Sequence, residues 1–178
     1  MLTIFEPLAK FSDWLCDWIG RGVAWLTLGM VLVTFAVVIL RYFFDIGWIA
    51  MQESVLYMHG LVFLLGAAYT LQRDEHVLVD IFYREMSPKR KAVVNLLGNL
   101  LLLLPMFGFI LWTSWDYVVA SWELHETSRD AGGLPWIYLL KTSILVMGAL
   151  LIVQSLSICL RNLITITTNS RHSNELAP

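Results

Sequence analysis

The fold class predicted by the sequence is an all-α integral membrane protein with four transmembrane helices, and two observations lead to it. The chain of 178 residues is 58% hydrophobic and only 15% charged, whereas soluble domains are about 45–50% apolar and about 25% charged. Four segments also contain the roughly 20 mostly apolar residues that a helix needs to cross a hydrocarbon core of about 30 Å. These predicted spans lie at about residues 23–40, 48–71, 92–115 and 136–160.

The distribution of Lys and Arg predicts the orientation of the spans, because basic residues are retained on the cytoplasmic side. Most of the 12 Lys and Arg residues fall in the N-terminal segment, the second connection and the tail: Lys10, Arg21, Arg73, Arg84, Lys89, Arg90, Lys91, Arg161 and Arg171. Only Arg41 and Arg129 fall in the opposite connections. Tryptophans cluster near the outer membrane boundary, on the side of those opposite connections, as an aromatic belt: Trp48, Trp112, Trp115, Trp122 and Trp136. Both termini are therefore expected in the cytoplasm.

Two segments outside the spans have the periodicity of helices that lie on a membrane surface. In the cytoplasmic segment 1–22, apolar residues recur at helical spacing, with Trp18 in the stripe and Trp14 at its edge, which predicts an interfacial amphipathic helix. Between spans two and three, apolar residues from Val79 to Met86 predict a second, short interfacial helix. The tail, residues 161–178, is expected to be disordered.

Two features mark the third span. Ser87 and Pro88 have the residue types preferred at the N-cap and the first position of a helix, so the helix is expected to start there. Pro105 lies within the span and predicts a kink, because proline removes one helical hydrogen bond and its ring crowds the preceding turn.

Several classes of function find no support in the residues. A formal net charge of −2 with scattered basic residues argues against nucleic-acid binding. No nucleophile with a base and no cofactor motif is present, so no enzymatic activity, catalytic residue or cofactor is predicted. His76 and Asp80 could share a helix face, but a zinc site needs at least one more protein ligand. Because His59 is the only histidine inside a span, it predicts a hydrogen bond to another helix rather than a haem ligand.

Two charged residues lie inside predicted spans, where charge is costly. Glu53 is about five residues into the second span and Lys141 about five into the fourth, so both should lie roughly 8 Å below the outer boundary at 1.5 Å per residue. An ion pair between them would lower the desolvation cost of both. Separate snorkelling to the surface, or contact with another subunit or an ion, are the alternatives.

Ordered landmarks along the chain resemble a known family. They are Arg41-Tyr42 at the end of the first span, Trp48 and Glu53 at the start of the second, GAAYTLQRDEHVLVD at its end, SPKRK before the third, and SWELHETSRDAGGLP before the fourth. From about Val23 to Leu160 the chain is similar to the small, Q-type membrane subunit of TRAP transporters, the tripartite ATP-independent periplasmic transporters. The run LLGAAYTLQRDEHVLVDIFY most resembles the subgroup associated with mannitol or chloroaromatic compounds.

The resemblance implies a function that no residue chemistry here could indicate. A large permease subunit would carry the substrate and ion sites, and a periplasmic solute-binding protein would deliver an organic acid or related solute. This chain would support the large subunit in the bacterial inner membrane and help to receive the binding protein. Contacts with subunits or lipid headgroups are implied for the recurring polar positions: Arg41, Glu53, Arg73, His76, Asp80 and Glu126.

Two hypotheses stay open for the stretch from Arg73 to Asp80. It is either a solvated helix start, or Arg73, His76 and Asp80 fix the bend of the chain and dock the large subunit. For the whole chain, the alternative to a transporter subunit is an autonomous four-span protein, either a small ion-coupled carrier or a membrane redox or assembly factor. The predicted membrane anchors are the same in both cases: Trp14, Trp18, Trp48, Trp115 and Trp136.

Overall fold

A computed structural model describes residues 2–73, 83 and 85–175, and the regular structure within them is helical. The elements are α1 (Leu2–Phe43), α2 (Ile49–Gln72), α3 (Pro88–Gly98), a π-helical segment (Asn99–Leu103), α4 (Leu104–Glu123) and α5 (Ile137–Glu175). Four stretches are long and apolar enough to cross a bilayer: Lys10–Phe43, Ile49–Gln72, Pro88–Glu123 and Ile137–Thr167. The predicted all-α fold with four membrane-spanning helices is confirmed.

The first helix differs from the prediction because it is continuous. The segment 1–22 and the first span were expected as separate units, but α1 runs without a break from Leu2 to Phe43. The chain has no proline between Pro7 and the end of α1, and Gly20 serves packing rather than interruption. A Cβ at Gly20 would lie 2.5 Å from Cδ2 and 2.7 Å from Cβ of Tyr69, so only glycine allows this approach of α1 to α2. The interfacial location of residues 1–22 stays a prediction.

The third span combines α3, the π-helical segment and α4. It starts as predicted, with Ser87 in an extended conformation and Pro88 in the first turn. Ahead of Pro105 the helix widens, and the Leu104 N–H donates to the Asn99 carbonyl, five residues back. Proline lacks an N–H and crowds the preceding carbonyls, so a wider turn relieves the clash. The interruption predicted at Pro105 thus takes the form of a five-residue π-helix.

Helix α5 occupies the centre of the bundle and packs against α1, α2, α3 and α4. The apolar core joins Cys16 of α1, Ala68 of α2, and Leu150 and Leu151 of α5. Because α5 takes the central position, α1 and α2 lie on one side of it and the third span on the other. The N-terminal part of α1, the end of α2, the start of α3 and the C-terminal part of α5 share one end of the bundle, called the terminal end. The loop 124–136 marks the other end, called the loop end.

The chain beyond the fourth span is helical rather than disordered, which corrects the prediction for residues 161–175. Helix α5 continues to Glu175, since no proline or glycine lies between Arg161 and that residue. The hydroxyls of Thr165 and Thr167 donate to the carbonyls of Arg161 and Leu163, each at 3.0 Å, and so remain compatible with the helix. The second predicted interfacial helix, between Val79 and Met86, lies largely outside the described residues.

Candidate functional site

The loop end is closed by a group of polar contacts that we call the loop cap: Glu53, Ser121, Glu126, Ser128, Leu134 and Lys141. In one half of it, the Ser128 hydroxyl donates to one carboxylate oxygen of Glu53. The backbone N–H of Leu134 donates to the other oxygen at 2.6 Å. Both donors belong to the 124–136 loop, whereas Glu53 lies in the second turn of α2. A single carboxylate therefore fastens the loop onto α2.

Glycine residues allow the loop to fold back this closely. Gly132 has a φ of 84°, in the left-handed region that favours glycine. At Gly133 an added Cβ would lie 2.5 Å from Ser128 Oγ and 2.7 Å from Glu53 Oε2, so the position has no room for a side chain. The Ser128 N–H also donates to the Leu134 carbonyl at 3.1 Å, which closes the loop on itself.

The other half of the loop cap joins α4, the loop and α5 through Glu126. The Ser121 hydroxyl donates to the Glu126 carboxylate at 2.6 Å, and the Lys141 ammonium donates to the same oxygen. The Lys141 nitrogen also lies 3.9 Å from the centre of the Tyr117 ring, within range of a cation–π interaction. The Lys141 ammonium and the Ser121 hydroxyl lower the pKa of the Glu126 carboxyl below its ordinary value.

The structure corrects the ion pair predicted between Glu53 and Lys141. Lys141 pairs with Glu126, and Glu53 accepts hydrogen bonds from Ser128 and Leu134 instead. The physical reason is the position of the loop: it folds back over the helix ends and brings its own carboxylate to Lys141. Similar depth in two helices was a sound inference, but depth does not determine which side chains face each other.

A second group of contacts lies at the terminal end, and we call it the terminal network: Ser12, Asp13, Asp17, Arg73, Gln154 and Arg161. Asp17 accepts from Arg73 at 2.9 Å and from Arg21, one turn further along α1, at 2.8 Å. The Arg73 guanidinium also lies 4.9 Å from the centre of the Tyr69 ring. Asp13 pairs with Arg161 of α5. Two acidic residues of α1 thus hold the end of α2 and the C-terminal half of α5.

Gln154 is the buried centre of the terminal network, with an exposed fraction of 1%. Its carbonyl oxygen accepts from the Ser12 hydroxyl at 2.7 Å and from the Cys16 thiol at 3.6 Å. Its amide donates to Asp13 at 3.2 Å. Sequence reasoning missed this residue. The available signal was an amide within an apolar span, which requires hydrogen-bond partners from neighbouring helices.

Between these two ends, the membrane-spanning part of the bundle has a lateral groove of about 610 Å³. Residues Phe63 to Leu71 of α2 form one wall, residues Gly98 to Phe107 of the third span form the other, and Met147 and Leu151 of α5 form the floor. The lining is apolar. The described polar contacts are therefore concentrated at the two ends of the bundle.

The described residues offer no metal centre: in ranges 2–73, 83 and 85–175, no three His, Cys, Asp or Glu side chains lie close enough to share an ion.

Comparison with known protein families identifies the family of this chain. The family model described as "Tripartite ATP-independent periplasmic transporters, DctQ component" matches residues 30–165, about three quarters of the chain. The chain belongs to this family. It is a transporter component with four helices able to span a membrane.

Among curated relatives of this DctQ-family chain is the "C4-dicarboxylate TRAP transporter small permease protein DctQ" of Vibrio cholerae. The two are 27% identical over 125 residues, which cover 70% of this chain and 50% of the relative. The chain thus spans about half the length of the curated relative that it matches. No solved structure gives a significant match.

The residues for which the DctQ-family resemblance implied contacts fall into four groups. Glu53 and Glu126 lie in the loop cap, and Arg73 lies in the terminal network. Arg41 is exposed in the last turn of α1. His76 and Asp80 lie outside the described residues. The predicted membrane anchors are exposed: Trp14, Trp18, Trp48, Trp115 and Trp136.

Proposed function

We propose that this DctQ-family chain is the non-catalytic small permease subunit of a TRAP secondary transporter. It supports a large permease subunit and helps to dock a periplasmic solute-binding protein during ion-gradient-driven uptake of an organic acid or related solute. It resides in the inner membrane of a bacterium, with both termini in the cytoplasm.

The observation that carries this proposal is the family match over residues 30–165, which includes the end of the first candidate span, all of the second and third, and nearly all of the fourth. The positions of the polar groups favour a subunit that supports the large permease over a carrier that moves the solute itself. A carrier that moves a charged solute needs polar groups near the membrane midplane. Here the lateral groove, which extends from near the midplane towards the terminal end, is lined by apolar side chains, and the described ion pairs lie near the two ends of the bundle.

The loop cap supports a role in receiving the solute-binding protein. The positive-inside distribution of Lys and Arg assigns the loop end to the periplasmic side. Contacts of Glu53 and Glu126 hold the loop in one conformation, while Arg129, Asp130 and Trp136 remain exposed on it. A rigid loop with exposed charged and aromatic residues offers a preorganised surface for a soluble partner.

Reconstitution tests the proposal. Proteoliposomes are prepared with this chain alone, with the large permease subunit alone, and with both, and uptake is measured with the solute-binding protein and a sodium or proton gradient. The proposal expects uptake only with both subunits and the binding protein. Uptake by this chain alone would contradict it and favour an autonomous carrier. A large subunit that neither co-purifies with this chain nor depends on it would also contradict the proposal.

The solute class is the finer part of the proposal. The relative from Vibrio cholerae carries C4-dicarboxylate in its printed name, so succinate-type diacids form the first group of substrates to assay. Mannitol and chloroaromatic compounds form the second, following the resemblance of residues 64–83 to that subgroup. Competition for uptake of a radiolabelled solute distinguishes the two groups.

A further inference from the structure

His59 lies at an unfavourable place for a polar side chain. It is ten residues after Ile49, the first residue of the 24-residue helix α2, and thus about 15 Å along the helix at 1.5 Å per residue. That distance is half of a hydrocarbon core of about 30 Å. The side chain is exposed on the bundle surface. Its recorded side-chain neighbour is Phe63, one turn away, with 5.8 Å between ring centres.

The interhelical hydrogen bond predicted for His59 is not made within the part of the chain that the structure describes. Among the described residues, no hydrogen-bond partner faces the imidazole. A histidine has a donor and an acceptor nitrogen, and leaving both in hydrocarbon is costly because nothing there can replace water. His59 therefore calls for a polar partner that lies outside the chain.

The surface around His59 has the shape of a helix-docking site. Residues of α2 spaced by three or four form one exposed stripe, with Leu56 at 63% and Phe63 at 74% exposure on either side of His59. Gly66 continues the stripe, and a Cβ there would meet nothing within 4 Å. Small residues on such a face allow two helix backbones to approach closely in a membrane. Phe63 also forms part of one wall of the lateral groove.

The need for a hydrogen bond decides between the possible occupants. An acyl chain fills apolar space but offers neither a donor nor an acceptor at the midplane. A second copy of this chain would bring its own His59 only if the two α2 helices crossed at that depth. A helix of the large permease subunit can supply a hydroxyl, an amide or a carboxylate at that depth along its own length.

We infer that the α2 stripe Gln52, Leu56, His59, Phe63 and Gly66, with the lateral groove beside it, is the surface that binds a transmembrane helix of the large permease subunit. His59 forms an intersubunit hydrogen bond at the membrane midplane. This inference rests on the proposed function, since it specifies where the large subunit binds.

Site-specific photocrosslinking tests the location of this surface. A benzophenone amino acid replaces Leu56 or Phe63 on the stripe, and Leu28 or Phe35 on the exposed face of α1 as matched controls. All four positions are exposed apolar residues within a span. Each variant is expressed with its large permease subunit, irradiated in the membrane and analysed by mass spectrometry. We expect crosslinks to the large subunit at least fivefold stronger from positions 56 and 63 than from 28 and 35.

Substitution of His59 tests the hydrogen bond. His59→Leu removes it, whereas His59→Asn keeps a donor and an acceptor. Hydrogen bonds between membrane helices correspond to about a three- to fifteenfold change in an equilibrium constant. Retention of the large subunit on immobilised small subunit should therefore fall by about that factor in the leucine variant and recover in part in the asparagine variant. Thr34→Leu, which removes an exposed hydroxyl from α1, should leave retention unchanged.

The outcomes separate the inference from the function on which it rests. If the complex purifies but positions 28 and 35 crosslink as strongly as 56 and 63, the surface is wrong and the proposed function stands. Crosslinks from 56 and 63 only to lipid, or only to a second copy of this chain, overturn the inference in the same way. Equal retention by the His59→Leu and wild-type chains overturns the hydrogen bond. If no complex with a large permease forms, the proposed function itself fails.

Discussion

Gly20 and Gly22 lie two residues apart in α1, and substitution by alanine should change the stability of the protein in opposite directions at the two positions. A Cβ at Gly20 would lie 2.5 Å from Cδ2 and 2.7 Å from Cβ of Tyr69, whereas at Gly22 it would meet nothing within 4 Å. Carbon atoms pack best about 3.5–4.0 Å apart, so Gly20→Ala forces α1 and α2 apart or rotates the Tyr69 side chain. Gly22→Ala changes only the conformational freedom of α1.

The expected magnitudes follow from these contacts. Overpacking costs about 1–3 kcal/mol, and replacing glycine by alanine within a helix returns about 0.5–1 kcal/mol. The Gly20→Ala chain should therefore be about 1–3 kcal/mol less stable than the Gly22→Ala chain. For a domain of this size, 1 kcal/mol shifts Tm by about 2–4 °C. The two variants should thus differ in Tm by roughly 2–12 °C, with Gly22→Ala at or above the wild type.

Intrinsic fluorescence during heating in detergent measures this difference, since the chain contains eight tryptophans. A second substitution, Tyr69→Ala, removes the ring atoms that the new methyl group would meet and leaves only the Cβ of residue 69. The loss caused by Gly20→Ala should be smaller in that background, because the two effects are coupled through one contact. A Gly20→Ala chain as stable as the Gly22→Ala chain would refute the close packing of α1 on α2 at this point.

Three further predictions concern the two polar groups. Gly133→Ala should displace the loop from Glu53, so cleavage of detergent-solubilised protein by trypsin after Arg129 should become at least several-fold faster. The pKa of Glu126 is lowered by Lys141 and Ser121, so its contribution to loop stability is complete above its ordinary pKa of about 4.5 and is lost as pH falls through the lower folded-state value. Protection of the loop amides against hydrogen exchange, relative to the intrinsic exchange rate at each pH, should therefore fall in acid. Gln154→Leu should leave Ser12 without its partner, and maleimide labelling of the buried Cys16 should accelerate.

Each of these predictions has a matched control. Gly47→Ala, at the same end of the bundle, meets nothing within 4 Å and should leave trypsin cleavage unchanged; equal acceleration there would contradict the role of Gly133. Glu126→Gln should remove the acid-dependent step in loop exchange, and a step that persists would assign it to another group. Ser157→Ala, which alters a buried hydroxyl of α5 with no recorded side-chain partner, should not accelerate Cys16 labelling. If it does, the effect of Gln154→Leu is not specific to the terminal network.

The sequence predicts those features of the fold that depend on composition along the chain. Apolar length locates the four spans, and the residue types at Ser87 and Pro88 locate the start of the third. It does not predict contacts across the bundle. The depth of Lys141 was readable from its position in the span, but its partner depends on how the 124–136 loop folds back. Likewise, the closeness of Gly133 to Glu53 required the three-dimensional structure.

The same limit applies at the terminal end. The segment 1–22 was predicted as a surface helix, and an isolated amphipathic helix would place charges such as Asp13 and Asp17 in water. In the bundle Asp17 binds Arg73 and Asp13 binds Arg161. The two partners are 56 and 148 residues away along the chain. Neither pair can be predicted from residues that are neighbours in the sequence. His59 is the opposite case, since its position inside a span predicted a polar partner, and we infer that this partner belongs to another subunit.

The π-helical segment determines the direction in which side chains of the third span point around the helix axis. Asn99 accepts from Ser155 of α5 at 2.8 Å, and Leu111 lies against Gly148 of the same helix. A regular α-helix turns about 100° per residue, so residues twelve apart would point about 120° away from each other. One extra residue accommodated in the wide turn removes about 100° of that difference. A chain lacking one leucine of Leu100–Leu103 should therefore keep both contacts with α5 while its third span becomes a regular α-helix, one residue shorter.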